Sequence, residues 1–176
     1  MTTVSAPVNS GIPAVMSSSD RIAPEQPERL KRLRLRALKD SPACFLSERV
    51  TEQQYPDERW AAEFERGDWY AGVIGRHDVS LIGVTREPDM PESERYIEYM
   101  WVAERFRQRG IGRYMLQDLL EVLRVSGVKV VYLWVLDGNV AAAKLYKKVG
   151  FHFTGVVQPL AARPGRSEQQ MMIALT

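Results

Sequence analysis

One stretch of the sequence decides the fold, Arg107-Gln108-Arg109-Gly110-Ile111-Gly112-Arg113. It lies between a predicted strand at residues 96–102 and a long predicted helix at residues 110–126. The first amides of a helix have no partners inside it, and the macrodipole adds about half a positive charge there. Glycines leave these amides open to an anion, and the arginines add charge. The stretch therefore predicts a pyrophosphate site, although the glycines alone could also serve close packing of helix on sheet.

Two well-known phosphate-binding motifs do not fit this stretch. A Walker loop ends in Gly-Lys-Ser/Thr, which is absent here. A dinucleotide fingerprint needs a third glycine where this chain has Met115. The predicted anion site is therefore neither of these two.

The hydrophobic pattern on either side places the stretch in a mixed sheet. Apolar residues recur at helical spacing in some segments and form short β-favouring runs in others. Helices are predicted at residues 28–39, 56–66, 110–126 and 140–149, and strands at residues 69–76, 79–85, 96–102, 128–136, 151–157 and 169–175, with a turn at His77-Asp78. The succession of strand 96–102, helix 110–126 and strand 128–136 implies a right-handed parallel crossover. The predicted class is α/β.

A second helix begins at the same edge of the predicted sheet. Asn139 is its predicted cap, and Ala142, Leu145 and Tyr146 share one of its faces. Ligands of α/β sheets bind at the edge where parallel strands end. Tyr146 lies about 10 Å along the helix from Asn139. Alone it would be read as a core aromatic, but beside the anion site it is a candidate for the reactive end of a ligand.

These residues resemble the signatures of the GNAT superfamily of acyl-CoA N-acyltransferases. The first signature, Arg/Gln-x-x-Gly-x-Gly/Ala, is present as Arg107, Gly110 and Gly112, after the sequence MWV at residues 100–102. The second, Asn-x-x-Ala-x-x-Leu-Tyr-x-x-x-Gly-Phe, is present as Asn139, Ala142, Leu145, Tyr146, Gly150 and Phe151. The resemblance covers residues 28–175. It implies a GNAT-type mixed α/β fold, with a twisted, mostly antiparallel sheet, one parallel βαβ crossover and helices on both faces.

The resemblance also implies transfer of an acetyl group from acetyl-CoA to a primary amine of a small molecule or peptide, by direct attack in a ternary complex. Amides of residues 109–113 would hold the pyrophosphate, and the pantetheine would lie between strands that splay at Val102 and Leu136. A backbone N–H near residues 100–102 would polarise the thioester carbonyl. Tyr146 would protonate the leaving thiolate, since a phenol with a pKa of about 10 is protonated at neutral pH. The implied acetyl-CoA-binding residues are Met100, Trp101, Val102, Arg107, Gln108, Arg109, Gly110, Ile111, Gly112, Arg113, Asn139, Ala142 and Tyr146.

The predicted general base is Glu98. An alkyl amine with a pKa of about 10 must lose a proton before it attacks, and a carboxylate can accept that proton, directly or through water. A charged side chain is unusual in the middle of an aromatic and apolar strand unless it is paired or functional. The alternative for Glu98 is an ion pair with an arginine such as Arg95. Tyr146 and Glu98 together form the predicted catalytic pair.

Nothing in the sequence identifies the amine acceptor. Five aromatic residues could wall its pocket or could be core, namely Trp60, Trp69, Tyr70, Tyr96 and Tyr99. An alternative function is a non-catalytic acyl-CoA sensor or interaction module on the same fold. The presence of Tyr146 favours catalysis.

Composition argues against several other classes of function. The 176 residues carry 24 Lys and Arg against 22 Asp and Glu, a net charge of +2, which gives no broad basic surface for nucleic acid or a membrane. The sequence shows neither a secretion signal nor about 18 apolar residues in a row. Cys44 is the single cysteine, is predicted to be buried, and with only His77 and His152 gives no metal site. We expect a cytoplasmic protein, either a monomer or a homodimer.

The N-terminus has a different composition from the rest. Residues 1–19 are rich in Ser, Thr, Pro, Ala and Val without a period, which predicts a flexible arm. Residues 20–176 are predicted to form a single domain. The family fold begins with a strand before the first helix, and residues 20–27 show only a weak strand pattern.

Overall fold

A mixed sheet organises the protein. The computed structural model describes residues 18–161 and 163–176, and the sheet within them has seven strands in the order β1-β2-β3-β4-β5-β7-β6. The strands are β1 Ser18–Arg21, β2 Gly67–Ile74, β3 His77–Thr85, β4 Glu94–Val102, β5 Val130–Leu136, β6 His152–Pro159 and β7 Ser167–Ala174. Only the pairing of β4 with β5 is parallel among these strands. The predicted mostly antiparallel sheet with one parallel pair is confirmed.

Helices cover both faces of this sheet, as predicted. They are α1 Pro27–Asp40, α2 Arg49–Glu52, α3 Asp57–Arg66, α4 Ile111–Val125 and α5 Val140–Val149. On one face, α4 and α5 bury a core that includes Met115 and Leu119. On the other face, α1 and α3 bury a second core that includes Leu33 and Trp60. In the described part of the chain, no helix combines the length and the apolar character needed to cross a membrane.

Two features near the first strands differ from the sequence prediction. β1 includes Ser18 and Ser19, which the composition assigns to the arm, and β1 pairs with β2. Residues 1–17 of the predicted arm lie outside the described residues. The hairpin between β2 and β3 turns at Gly75-Arg76 rather than at His77-Asp78, because Gly75 accepts the left-handed backbone, with a φ of +59°, that a tight turn needs.

The two parallel strands separate before they end. β4 and β5 are paired from Glu94 with Val130 as far as Ile97 with Leu133, yet β4 continues to Val102 and β5 to Leu136. A slot therefore opens between the carboxyl ends of the two strands. The start of α4 and the start of α5 both follow this slot along the chain.

A bulge in β4 changes which side chains face each core. β4 has one more residue than β3 between two of their paired positions, and Tyr99 there has a φ of +57°. The extra residue reverses the alternation of side chains along the strand. Ile97 and Met100 therefore both face α4, whereas Tyr99 and Trp101 face α1.

Candidate active site

The start of α4 has the form of an anion cradle. Gly110 precedes the first turn with a φ of +83°, Gln108 also has a left-handed backbone, and no side chain in the described part of the chain caps the helix. The first turn contains no acidic residue, so its open amides and the helix dipole face no competing negative charge from that turn. A Cβ on Gly112 would lie 3.2 Å from both Met100 Cε and Leu145 Cδ2. Gly112 thus brings α4 close to β4 and α5, beside the slot.

The three arginines of this stretch have different surroundings. Arg107 donates from Nε to the carbonyl oxygen of Val102 at 2.9 Å and from Nη2 to Ser41 Oγ at 2.6 Å. Its guanidinium therefore ties the loop after β4 to the segment after α1, a role the sequence does not predict. Arg109 and Arg113 are exposed, and Arg109 lies over the ring of Phe106 at 5.8 Å. These two retain guanidiniums that can meet a phosphate.

Residues of α5 line the slot from the other side. Asn139 Oδ1 accepts a hydrogen bond from the Ala142 amide at 3.2 Å, which is the predicted cap. Tyr146 is 7% exposed and packs against Phe151 with ring centroids 6.0 Å apart. Burial raises the pKa of Tyr146 well above its usual range. Its hydroxyl is therefore protonated across any practical assay range.

A cavity of about 720 Å³ is lined by residues of α5 and by the ends of β4 and β5, but by none of residues 101–113, which include the predicted pyrophosphate stretch. Five of the predicted catalytic and acetyl-CoA-binding residues line this cavity, namely Glu98, Met100, Asn139, Ala142 and Tyr146. Leu136, where β5 is predicted to separate from β4, lines it as well. Of the five aromatic candidates for the acceptor pocket, Trp60, Tyr96 and Tyr99 line the cavity, whereas Trp69 and Tyr70 do not. Trp101, a predicted acetyl-CoA residue, is 3% exposed and points into the core on the α1 face. Its side chain is thus separated from the slot, which leaves only its backbone available there.

Glu98 lies in the cavity wall with partners that are distant in sequence. Glu98 Oε1 is 3.4 Å from Arg66 Nη2 and accepts a hydrogen bond from Thr85 Oγ1 at 3.2 Å. The predicted alternative partner, Arg95, instead donates to backbone carbonyls of Glu92 and Glu94. Burial raises the pKa of Glu98, and Arg66 and the Thr85 hydrogen bond offset part of that rise. Glu98 is consequently a stronger base than an exposed glutamate would be.

Tyr99 is held between an indole and a guanidinium. Its ring stacks on Trp69 with centroids 4.9 Å apart, and Arg34 Cζ lies 3.8 Å from its centroid on the cavity side. Arg34 is fixed in turn by buried Glu52, which accepts from Arg34 Nε at 3.0 Å and from Nη2 at 2.8 Å. Desolvation raises the pKa of Tyr99 to about 12. The sequence pattern does not predict the Arg34–Glu52 pair, because Arg34 is one of several basic residues on an amphipathic helix.

Two further residues of the cavity wall have an environment that the sequence does not indicate. Glu168 on β7 is 7% exposed and accepts from Gln158 Nε2 at 2.6 Å. The prediction that Cys44 is buried is wrong, because it follows α1 in the short 3-10 turn Pro42–Cys44 and is exposed beside the cavity. Across residues 18–161 and 163–176, no cluster of three His, Cys, Asp or Glu side chains could hold a metal ion.

Comparison with known proteins defines the class. Residues 34–151 match the Acetyltransferase (GNAT) family, so the chain belongs to this family, whose acyl donor is acetyl-CoA. The predicted family resemblance is confirmed.

Several curated proteins are similar to this chain over part of their length. The N-alpha-acetyltransferase RimI of Mycobacterium tuberculosis is 37% identical over 44% of this chain and 48% of its own length. The spermine/spermidine N(1)-acetyltransferase of Bacillus subtilis is 29% identical over 49% of this chain and 62% of its own length. An uncharacterized N-acetyltransferase of Bacillus subtilis, YycN, is 32% identical over 51% of this chain and 57% of its own length. The matches thus span between about half and three-fifths of these relatives.

Solved structures share the fold at low sequence identity. A GNAT acetyltransferase of Streptococcus pneumoniae superposes with a TM-score of 0.75 at 15% identity, covering 90% of this chain and 99% of that one. The acetyltransferase yncA of Salmonella typhimurium, solved with acetyl-CoA, gives a TM-score of 0.73 at 13% identity, covering 92% of this chain and 94% of that one. These likenesses confirm the fold class.

Proposed function

We propose that the protein is an acetyl-CoA-dependent N-acetyltransferase that acts on a primary amine in a ternary complex. The observation that carries this proposal is the cavity, which brings Tyr146 and Glu98 to the slot between β4 and β5. A sensor would need only the donor site. This chain has, in addition, the buried hydroxyl of Tyr146 and the partly buried carboxylate of Glu98 in the wall of one cavity.

The donor would bind across the slot and the start of α4. The open amides of residues 109–113 would hold the pyrophosphate, with Arg109 and Arg113 adding charge at the exposed rim. Gly112 and Met100 form the close contact between α4 and β4 beside the slot. When bound there, acetyl-CoA supplies an activated acetyl group as a thioester.

The reaction forms one bond and breaks another. The nitrogen of a neutral amine attacks the thioester carbon, the C–N bond forms and the C–S bond breaks. The sulfur leaves with the bonding electrons, and the amine nitrogen loses a proton. The chain must therefore accept one proton and stabilise one departing thiolate.

Tyr146 serves the departing sulfur in this proposal. Full proton transfer from an ordinary phenol to a thiolate is uphill by about 1.5 pKa units, and burial of Tyr146 increases that difference. Its main contribution is therefore a hydrogen bond donated from a desolvated hydroxyl to the developing negative charge. The desolvation that raises the pKa also strengthens this hydrogen bond.

Glu98 accepts the amine proton in this proposal. Burial raises the pKa of Glu98, which makes it a better proton acceptor than an exposed carboxylate. Arg66 is 3.4 Å away and also pairs with Glu63 at 2.9 Å, and its positive charge favours the ionised form of Glu98 that can accept a proton. Activity should then be lost as the pH falls through the raised pKa of Glu98.

The cavity favours a cationic acceptor. Its wall contains five carboxylates and three guanidiniums, namely Glu52, Glu63, Glu87, Glu98 and Glu168 against Arg34, Arg59 and Arg66. Tyr96, Tyr99 and Trp60 add aromatic rings, and both carboxylates and aromatic faces attract an ammonium group. The names of two relatives, an N-alpha-acetyltransferase and a spermine/spermidine acetyltransferase, both describe amine acceptors.

The test is Tyr146→Phe, which keeps the ring and its packing against Phe151 and removes the hydroxyl. We expect single-turnover acetyl transfer to an amine panel to slow by about 10²–10³-fold, as for loss of one hydrogen bond to developing charge, with little change in the dissociation constant of acetyl-CoA. A wild-type rate in this variant would contradict the role of Tyr146. Tight acetyl-CoA binding by the wild-type protein without transfer to any amine would favour the sensor.

A further inference from the structure

Two buried hydrogen-bond donors in the cavity wall have no acceptor among the residues that the structure describes. Arg34 and Trp60 are each 3% exposed and line the cavity. Arg34 Nη1 and Trp60 Nε1 each expose less than 1 Å² and have no hydrogen-bond partner among the described residues. Leaving a buried donor unpaired is unfavourable, so an acceptor oxygen supplied from the cavity would stabilise this wall.

The guanidinium of Arg34 is held in one orientation. Glu52 occupies Nε and Nη2, and the rings of Tyr99 and Phe45 lie 3.8 Å and 4.7 Å from Cζ. Nη1 is thus the single edge left for a further acceptor, and little side-chain entropy remains to be lost when it binds one. Because Nη1 exposes less than 1 Å², contact with a ligand requires a neighbouring side chain such as that of Phe45, whose ring lies 4.7 Å from Cζ, to shift. Side-chain shifts of this kind are common on binding.

The other walls of the cavity present the opposite chemistry. Glu98 and Glu168 offer carboxylate oxygens that suit an ammonium group, whereas Arg34 and Trp60 offer N–H groups that suit a carbonyl oxygen. A plain diamine or polyamine has no oxygen to offer these donors. An amine next to a carbonyl group satisfies both sets.

We infer that the acceptor is an α-amino carbonyl compound, of the kind found at the N-terminus of a peptide, whose carbonyl oxygen accepts hydrogen bonds from Arg34 Nη1 and Trp60 Nε1. This inference rests on the proposed function and makes it more specific. Arg34 and Trp60 are then specificity residues, since they contact the acceptor beside its reacting nitrogen.

The test compares acceptors that differ by one carboxamide. Lysinamide is paired with cadaverine, and phenylalaninamide is paired with phenethylamine, so that each pair shares its carbon skeleton apart from the carboxamide. Because the carboxamide lowers the pKa of the neighbouring amine by about 2 units, kcat/KM is calculated for the neutral amine in each case. For the wild-type protein we expect kcat/KM to favour the amide by at least about tenfold in both pairs. The ratio within a pair cancels any general loss of activity in a variant.

Two variants and one control locate the effect. Trp60→Phe removes one N–H and keeps most of the ring, and should lower the amide preference by about fivefold, as one neutral hydrogen bond would. Arg34→Lys keeps a positive charge beside Glu52 but loses the planar guanidinium with its several N–H donors, and should lower the amide preference by about tenfold or more. Trp134→Phe makes the same exchange at another cavity tryptophan and should leave the preference unchanged.

The outcomes separate this inference from the function on which it rests. Equal use of the amide and the plain amine, or an unchanged preference in Trp60→Phe and Arg34→Lys, overturns the inference while transfer itself persists. A similar loss in Trp134→Phe also overturns it. If no amine is acetylated, the proposed function fails, and calorimetry on the protein loaded with CoA decides the inference: tighter binding of lysinamide than cadaverine retains it, and equal or absent binding overturns it.

Discussion

Gly112→Asp tests the donor site most directly. An aspartate at the start of α4 would place a carboxylate beside the amides that we propose for the pyrophosphate. At a separation of about 5 Å and an effective dielectric constant of about 20, each pair of like charges costs about 3 kcal/mol. Solvent at the exposed rim reduces this, and we take about 2 kcal/mol, which weakens acetyl-CoA binding about 30-fold.

The variant should nevertheless fold. The added Cβ would meet Met100 Cε and Leu145 Cδ2 at 3.2 Å, and both atoms are ends of flexible side chains that can move by a few tenths of an ångström. A negative charge in the first turn of a helix contributes about 0.3–1 kcal/mol of stability. The unliganded protein should therefore melt within a few degrees of wild type.

A thermal shift assay can read this difference. At a ligand concentration of about 100 times its dissociation constant, binding stabilises wild type by about 2.7 kcal/mol, a rise in Tm of about 5–11 °C for a chain of this size. A 30-fold weaker complex at the same concentration gains about 0.9 kcal/mol, or about 2–4 °C. Gly112→Ala adds the same Cβ without charge and should keep most of the wild-type shift. A full shift in Gly112→Asp would refute the proposed phosphate site, and an equal loss in Gly112→Ala would assign the effect to packing.

Three further substitutions separate structural from chemical roles. Glu98→Gln should lower transfer at neutral pH by about 10²–10⁴-fold and recover in part at high pH, where the amine is already neutral. The Tm of Glu98→Gln at pH 7 should not fall, because the pKa of Glu98 is raised in the folded state, so that Glu98 stabilises the fold below its unfolded-state pKa and loses that contribution as the pH rises. Profiles of rate and of Tm against pH test both expectations. A loss of rate together with a loss of Tm, without recovery of the rate at high pH, would indicate a structural pair with Arg66. Arg107→Gln should lower the unliganded Tm by about 2–4 °C, since it loses bonds to Val102 and Ser41 worth about 1 kcal/mol. Arg109→Gln should weaken acetyl-CoA binding and leave the unliganded Tm unchanged. Thermal melts and acetyl-CoA titrations of both variants test this, and a lower Tm for Arg109→Gln with unchanged acetyl-CoA binding would contradict the assignment of Arg109 to the phosphate.

Local sequence signals predicted the parts of the fold that local physics determines. Asn139 caps α5 with its side-chain oxygen, as asparagine commonly does at a helix start. Gly150 ends α5 in the left-handed conformation, which the lack of a Cβ favours. Gly110 fulfils a comparable role before α4. The two helix starts and the crossover between them therefore follow from short stretches of sequence.

Features made by distant residues were not predictable in the same way. Glu98 lies next to Arg66 only because a single strand, β3, separates β4 from β2, and Arg66 directly precedes β2. Arg34 on α1 pairs with Glu52 on α2, across the connection between the two helices. The sequence marks Glu98 as an unusual charge within its strand but does not identify its partner. It shows Arg34, Glu52 and Arg66 only as ordinary charged residues. Exposure of Cys44 depends on the same connection, whose course has no periodic pattern.

The bulge in β4 could not be predicted from the sequence either, because its residues have the pattern of an ordinary strand. A left-handed backbone normally calls for Gly or Asn, but Tyr99 adopts it without either signal.

A non-glycine residue in this conformation costs about 1–3 kcal/mol, so the surrounding structure must hold it there. Trp69 stacks on one side of the Tyr99 ring and Arg34 on the other, and Glu52 fixes Arg34. The bulge in turn sets the direction of the backbone that enters the slot at Met100. The guanidinium that we assign to the acceptor therefore also supports the strand that we assign to the donor. Loss of Arg34 should then affect both substrates, which is why the acceptor preference, rather than the absolute rate, is the measurement that isolates its contact with the acceptor.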